Sequence, residues 1–299
     1  MLQKIGIITK RPDQRALQAT ARLVEWLNQQ GKSVTVVEDI AIAAHIPGQQ
    51  ARRQSQDNLP EGMDLVVVIG GDGTFIAAAR AVGHRRVPIL GVNMGRLGFL
   101  TEVPVEEMFA TLEKVMQGEF HIEERTTLEV SVIRHELVQN QSRVLNDAVV
   151  HKGTLARMME YNVTIDNQFV FSSRADGLIV ATPTGSTAYA LSAGGPIIHP
   201  ALDALLLTPI CPHTLTNRPI VVPGAVEISI TLTSDDSNRL LTLDGQSGVQ
   251  LESEDRIVIQ RSQYSLLVMH PNTRNYYEIL RTKLLWGERA GEVPLVCKP

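Results

Sequence analysis

One short stretch of the chain combines three glycines with a single carboxylate. Residues 70–74, Gly-Gly-Asp-Gly-Thr, follow the apolar segment 65–69 and precede a segment at 74–82 with the composition of a helix. Glycines let the backbone turn tightly and approach another molecule, and the N–H groups that open a helix can face phosphate oxygens. Because a phosphate cradle does not need a carboxylate, we interpret Asp72 as a base for a hydroxyl, a metal ligand, or both. The alternative is an ordinary strand-to-helix turn in which Asp72 or Thr74 caps the helix.

Two pairs of polar residues further along the chain could contact a ligand. Asn146 and Asp147 offer donors and acceptors suited to sugar hydroxyls and base edges, although an isolated Asn-Asp is also typical of a turn. Arg174 and Asp176 could bind a phosphate and an amide, or could form a surface ion pair. The pairs alone leave these alternatives open.

The run 181–196 is dense in hydroxyls, glycines and small side chains. Thr184 or Ser186 can cap a short helix that runs to Ser192, and Gly-Gly-Pro at 194–196 would end it. Small side chains would let a ligand approach the start of this helix, and Tyr189 offers a face for stacking. The run therefore indicates a binding segment in addition to a turn.

The elements that must position these residues change in character near residue 100. Before it, short apolar strands predicted at 4–9, 33–37, 65–69 and 87–92 alternate with helices, including one at 14–30, which indicates a parallel sheet covered on both faces. Ligands of such sheets bind at the carboxyl ends of the strands, where 70–74 and 93–98 are placed. The polar stretch 48–61 lacks periodicity and is predicted to be a loop, either a lid or plain surface.

After a helix predicted at 105–117, the chain becomes rich in short β-branched segments separated by turn residues, which indicates a sandwich or stacked sheets. Helical periodicity returns at 272–284. We therefore predict an α/β domain at 1–100, a β-rich domain at 101–270, and a C-terminal segment at 271–299 that packs back on the first domain.

Composition excludes several classes of protein. The 299 residues carry a net charge of −4 with a pI near 6.1, which argues against a nucleic-acid binder. Cys211 and Cys297 form no disulfide framework or zinc site, and His199 and His213 lack metal-ligand spacing, so no dedicated metal site is predicted from these residues. The N-terminus lacks the features of a signal peptide, and no apolar run reaches the roughly 20 residues of a membrane helix. We expect a cytoplasmic protein without a nucleic-acid or membrane partner.

Taken together, these stretches resemble the NAD kinase family over nearly the whole chain. The G-G-D-G-T run alone is shared with diacylglycerol and sphingosine kinases, whereas the run that contains T-P-T-G-S-T-A-Y is far more specific. The motifs that carry the resemblance, in chain order, are G-G-D-G-T at 70–74, N-x-G-x-L-G-F-L at 93–100, N-D at 146–147, D-G-L-I-V-A-T-P-T-G-S-T-A-Y at 176–189, S-A-G-G-P at 192–196, P-H-T-L at 212–215 and D-G-Q at 244–246.

The resemblance implies an activity. NAD kinases transfer the terminal phosphoryl group of ATP to the 2′-hydroxyl of the adenosine ribose of NAD, which gives NADP and ADP. Asp72 matches the aspartate that accepts the hydroxyl proton, with Mg²⁺ or another divalent cation screening the phosphates, and Gly71 and Gly73 let the backbone reach the nucleotide. The Thr at position 74 leaves polyphosphate open as a second donor.

The resemblance also implies binding residues and an assembly. It implies a Rossmann-like N-terminal parallel α/β domain, a β-sandwich-like second domain, and a homodimer or homotetramer. The positions that match contacts to NAD are Asn146, Asp147, Arg157, Arg174, Asp176, Thr187, Ala188, Tyr189, Ala190, Leu191, Ser192 and Gln246. Two alternatives remain: a lipid or other small-molecule kinase that shares the G-G-D-G-T loop, and a non-catalytic NADP(H)-binding regulator, which would not need Asp72.

Overall fold

The computed structural model describes residues 2–10, 13–153, 158–214, 216–233, 238–272 and 275–286. The chain divides into two compact units, one made of residues up to Glu123 together with those from Val268 onward, and the other of Glu124–Leu267. The change in sequence pattern near residue 100 thus precedes the boundary between the units, because a helix at Met108–Met116 still belongs to the first unit.

The first unit is built on one sheet. Its strands are β1 (Lys4–Thr9), β2 (Ser33–Val37), β3 (Arg52–Gln54), β4 (Leu65–Ile69), β5 (Ile89–Asn93), β6 (Val103–Pro104), β7 (Phe120–Arg125) and β20 (Leu266–Pro271). They run in the order β3-β2-β1-β4-β5-β20-β7, with β6 beside β5. The central pairings, β1 with β2 and β4, and β4 with β5, are parallel.

Among the described residues, five α-helices and a short 3₁₀ helix at Val105–Glu107 belong to the first unit. In the part of the chain that the structure describes, none of the helices is long and apolar enough to cross a membrane. Asp13 caps the longest of them, α1, by accepting hydrogen bonds from the N–H groups of Arg15 and Ala16. The bounds are α1 (Gln14–Gln29), α2 (Glu38–Ala43), α3 (Asp72–Val82), α4 (Met108–Met116) and α6 (Tyr276–Leu284).

The polar stretch at 48–61, predicted to be a loop, contains the short strand β3, which pairs in parallel with β2. All three residues of β3 are exposed. An edge strand pairs through its backbone and needs no apolar side chains, so the polar composition of this stretch did not indicate β3.

In its described residues, the second unit contains two six-stranded antiparallel sheets. The strands are β8 (Leu128–Arg134), β9 (Leu137–Val144), β10 (Asp147–Lys152), β11 (Met159–Ile165), β12 (Gln168–Ala175), β13 (Gly177–Ala181), β14 (Ala204–Ile210), β15 (Ile220–Pro223), β16 (Ile228–Leu232), β17 (Arg239–Leu243), β18 (Ser247–Leu251) and β19 (Arg256–Arg261). Their orders are β15-β14-β13-β10-β17-β18 and β12-β11-β16-β19-β8-β9. Both sheets contribute to one apolar core, which includes Val150, Leu178, Val163 and Ile230.

This architecture confirms the predicted fold class: a parallel α/β unit, a β-rich unit of two stacked sheets, and a C-terminal helix that belongs to the first unit. Within that unit, the ammonium group of Lys283 on α6 lies 5.4 Å from the centre of the Phe99 ring. The C-terminal helix therefore contacts the loop that follows β5.

Candidate functional site

In the first unit, Asp72 lies where the buried strand β4 ends and α3 begins. All five residues of β4 are fully buried, which fixes the position of the turn that follows. A Cβ at Gly70 would come within 2.5 Å of the Thr74 hydroxyl oxygen, so the turn requires glycine there. A Cβ on Gly71 or Gly73 would meet no atom within 4 Å, so the backbone on either side of Asp72 has open space beside it.

The Asp72 carboxylate is held by the loop after β5. Its Oδ1 accepts hydrogen bonds from the N–H of Leu100 at 3.0 Å and from the N–H and hydroxyl of Thr101 at 3.2 and 3.1 Å. Its Oδ2 accepts one hydrogen bond, from the N–H of Phe99 at 2.9 Å. The capping position of α3 is taken by Gly71, which makes no side-chain cap. Asp72 therefore joins the carboxyl ends of two neighbouring parallel strands, the expected place for a ligand site.

The second unit contains a cavity of about 550 Å³. Its walls include five of the residues that the sequence predicted to bind a ligand: Asn146, Asp147, Asp176, Ala188 and Tyr189. The other lining residues are Val149, His151, Lys152, Gly153, Ile210, Thr242, Asp244 and Gly245.

Strand β10 supplies three polar residues of the cavity wall, Asp147, His151 and Lys152. It runs in the middle of its sheet, between β13 and β17. Asp147, Val149 and His151 alternate along it and all line the cavity, as expected for side chains on one face of a strand. This period of two was the signal in the sequence that could have identified His151 from Asp147.

Asp244 fixes the backbone of the predicted Asn-Asp pair. Its Oδ1 accepts hydrogen bonds from the N–H groups of Asn146 at 2.7 Å and Asp147 at 3.2 Å, and its Oδ2 accepts one from Leu145 at 3.0 Å. The N–H of Asp244 in turn donates to the carbonyl oxygen of Asp147 at 2.9 Å. Asp244 has φ of 52° and Gly245 has φ of 64°, so a left-handed Asp-Gly turn presents this carboxylate.

The charged groups of the cavity differ in their partners. Burial, and then the negative charge of Asp244, raise the pKa of the Asp147 carboxyl to about 7. Lys152 pairs with Asp176 at 2.8 Å, and Nε2 of His151 lies 2.8 Å from the Thr242 hydroxyl oxygen. The cavity therefore contains the ammonium group of Lys152, which is paired with Asp176, and the carboxyl group of Asp147, which is easily protonated.

The run 181–196 packs on the Asn-Asp pair but is not one continuous helix. Residues Thr184–Thr187 form a 3₁₀ turn and Tyr189–Ser192 form the short helix α5. Ala188 lies between them with φ of −96° and ψ of −128°, which breaks the predicted helix and places Ala188 and Tyr189 at the cavity. The Thr182 hydroxyl donates to the carbonyl oxygen of Leu145 at 2.6 Å, which ties the run to the residue before the Asn-Asp pair.

Other predicted contact residues do not line this cavity. Arg174 is exposed and pairs with Glu160 at 3.2 Å, and the side chain of Ala190 is packed in a small apolar cluster. Arg157 lies outside the described residues. The remaining predicted contacts that are absent from the cavity wall are Thr187, Leu191, Ser192 and Gln246.

The chain matches two family models. The ATP-NAD kinase N-terminal domain matches residues 5–120, and the ATP-NAD kinase C-terminal domain matches residues 145–270. An NAD kinase of Magnetococcus marinus is 56% identical over 97% of this chain and 96% of that protein. An NAD kinase of Geotalea daltonii is 48% identical over 96% of this chain and 100% of that protein.

Two solved structures resemble the whole chain. Yeast NADH kinase complexed with NADH has a TM-score of 0.89 and 25% identity, over 96% of this chain and 89% of that one. An NAD kinase from Archaeoglobus fulgidus in complex with ATP has a TM-score of 0.74 and 26% identity, over 94% of this chain and 99% of that one. The chain therefore belongs to the NAD kinase family of phosphotransferases.

Proposed function

We propose that the chain transfers the terminal phosphoryl group of ATP to the 2′-hydroxyl of the adenosine ribose of NAD, with Asp72 as the general base. The observation that carries this proposal is the fixed Asp72 carboxylate in a glycine-rich turn at the carboxyl end of β4. Phosphoryl transfer depends mainly on positioning and charge stabilisation, and a carboxylate held by four hydrogen bonds is already positioned.

The hydrogen bonds also distinguish the two oxygens of Asp72. Oδ1 accepts three hydrogen bonds, whereas Oδ2 accepts only one, from Phe99. An ionised carboxylate has about four acceptor positions, two on each oxygen. We therefore assign the proton of the ribose hydroxyl to Oδ2, which keeps an acceptor position for it.

The cavity of the second unit supplies the binding site for NAD in this proposal. Its volume of about 550 Å³ falls within the range of small-molecule pockets, roughly 300–1,000 Å³. Tyr189 is half exposed and offers a ring for stacking, and Asn146 offers hydrogen bonds from the cavity wall. Seven further residues remain proposed contacts on the family resemblance: Arg157, Arg174, Thr187, Ala190, Leu191, Ser192 and Gln246.

The divalent cation fits the chemistry as a companion of ATP. Among the described residues, no three His, Cys, Asp or Glu side chains cluster to hold a metal ion. Mg²⁺ usually keeps several waters and binds substrate phosphates with one or two carboxylates, so it needs no cage of protein ligands. When bound with ATP it screens the phosphate charge, while Gly71 and Gly73 leave room for the phosphates beside Asp72. We also propose a cytoplasmic homodimer or homotetramer.

Initial rates with four substrate pairs test the activity. We expect NADP from ATP and NAD in the presence of Mg²⁺, and the panel adds NADH as acceptor and polyphosphate as donor. Tight NADP binding without turnover would indicate a non-catalytic regulator, and phosphorylation of diacylglycerol but not NAD would indicate a lipid kinase. Absence of NADP from polyphosphate and NAD would end the polyphosphate hypothesis.

The variant Gly98→Ala tests whether turnover depends on the fixed position of the Asp72 carboxylate. A Cβ there would lie 2.0 Å from Oδ1 of Asp72 and 2.3 Å from the Thr101 hydroxyl oxygen, so Gly98→Ala must displace the carboxylate from its donors. Because the Asp72 side chain can swing aside, we expect about a tenfold fall in kcat and unchanged affinity for NAD. Gly95→Ala is the matched control in the same loop, since its Cβ would meet no atom within 4 Å. Equal rates for the two variants would contradict this role of the loop.

A further inference from the structure

Two carboxyl groups lie together in the wall of the second unit's cavity. Asp147 and Asp244 both line it, and the N–H of Asp147 donates to Oδ1 of Asp244 at 3.2 Å. Asp244 accepts two further backbone hydrogen bonds, from Leu145 and Asn146. N–H donors that converge on a carboxylate favour its ionised form. The negative charge of the pair therefore resides on Asp244.

The surroundings of Asp147 disfavour a second negative charge. Its side chain is 4% exposed, and Asp244 is its immediate anionic neighbour. Of the residues that the structure describes, the other titratable groups of the cavity are His151 and Lys152 on the same strand, Asp176 before β13, and Tyr189 on α5. The ammonium of Lys152 is paired with Asp176, and His151 is tied through Nε2 to Thr242. Among the described residues, Asp147 therefore has no cationic partner. Burial of an unpaired anion is unfavourable, so the protonated form of Asp147 has the lower free energy.

We propose that Asp147 meets the dinucleotide as a neutral carboxylic acid, whose O–H donates a hydrogen bond to an acceptor atom of the ligand. The inference rests on the proposed function, in which this cavity binds NAD. It makes Asp147 a donor, whereas an ionised aspartate can only accept. Asp244 becomes a positioning residue, since it holds the backbone of Asn146 and Asp147 and its charge keeps Asp147 protonated.

A pKa of about 7 for Asp147 makes the proposal measurable. Only the protonated fraction would bind in this way, so the apparent affinity follows that fraction. We expect the dissociation constant of NAD, measured by calorimetry without ATP, to be flat below about pH 6 and to rise about 30-fold between pH 6 and 8.5.

Two variants identify the group that titrates. The amide of Asp147→Asn is a donor at every pH, so this variant should bind NAD with a dissociation constant independent of pH and, at pH 6, within several-fold of the original. Asp244→Asn removes the neighbouring charge and suits the left-handed φ of 52°. It should move the midpoint of the pH profile to a lower pH.

Stability of the ligand-free protein gives an independent measurement. Because the folded pKa of Asp147 lies above the unfolded value near 3.8, the folded state binds more protons between these values. The contribution of Asp147 to the free energy of unfolding is full below about pH 4 and is lost as pH rises through about 7. Asp147→Asn should therefore raise Tm more at pH 8 than at pH 5.

The outcomes separate this inference from the proposed function. If NADP forms but the affinity for NAD is independent of pH or rises with pH, the proposal that Asp147 is a neutral donor is wrong. The proposed function would still stand. Retention of the original pH profile in Asp147→Asn would also contradict the neutral donor. Absence of NAD binding at every pH would remove both the inference and the proposed function.

Discussion

Replacement of Asp72 by Asn should lower the rate of NADP formation by about 10²- to 10⁴-fold while the affinity for NAD stays within about twofold. The amide cannot accept a proton, but its carbonyl oxygen can take the place of Oδ1 and accept from Leu100 and Thr101. Only the N–H of Phe99, which donates to Oδ2, loses its acceptor. Steady-state kcat, calorimetric affinity for NAD and Tm, measured on one preparation, give the three readouts.

Thr101→Val is the matched control for Asp72→Asn. It removes the hydroxyl that donates to Oδ1 at 3.1 Å but leaves the carboxylate and its three backbone donors. The same hydroxyl accepts a hydrogen bond from Nδ2 of Asn93 at 2.9 Å, so the variant removes two hydrogen bonds. We expect a fall in kcat of about tenfold. If Thr101→Val costs as much as Asp72→Asn, the carboxylate matters because it holds the loop. Near-normal turnover by Asp72→Asn would show that the base is elsewhere.

Replacement of Gly185 by Ala should weaken NAD binding by about 100-fold, since overpacking of this kind costs up to about 3 kcal/mol. A Cβ at Gly185 would lie 2.1 Å from the carbonyl oxygen of Asn146 and 2.5 Å from its carbonyl carbon. Asn146 cannot yield easily, because its N–H is held by Asp244 at 2.7 Å. The added methyl must therefore displace the cavity wall. The dissociation constant of NAD measures this effect, and kcat at saturating NAD should fall much less.

Gly248→Ala is the control for Gly185→Ala in the same unit. Its Cβ would come no closer than 3.8 Å to its neighbour, the carbonyl oxygen of Leu241, which is ordinary contact. This variant should bind NAD as the original protein does. Unchanged NAD affinity in Gly185→Ala would contradict the placement of the dinucleotide in this cavity.

The features that could be predicted from the sequence are those set by neighbouring residues. The glycine turn around Asp72 follows from the run of apolar residues in β4 and the start of α3. Tyr189 was predicted as a stacking face beside small side chains, and Ala188 was predicted from the family resemblance. Both line the cavity, and their contact with a ligand stays a prediction. In both cases, residues that are adjacent in the sequence determine the local backbone conformation.

The features that sequence reasoning missed depend on contacts between distant parts of the chain. Asp244 holds Asn146 from 98 positions away, and the Asp72 carboxylate bonds to residues 27 to 29 positions further on. The role of Asp244 could not be predicted, because it depends on the pairing of β10 with β17. The break at Ala188 was missed because helix propensity does not report the packing of this run on Asn146.

The most direct test of the central claim follows the transferred phosphoryl group itself. Incubation of the purified chain with γ-labelled ATP, Mg²⁺ and NAD should place the label in a product that an NADP-specific dehydrogenase accepts. Phosphorus NMR should show that product as a phosphomonoester on the 2′-oxygen of the adenosine ribose, and Asp72→Asn should form it at least about 100-fold more slowly. Label found in inorganic phosphate alone, or on any other hydroxyl, would contradict the account.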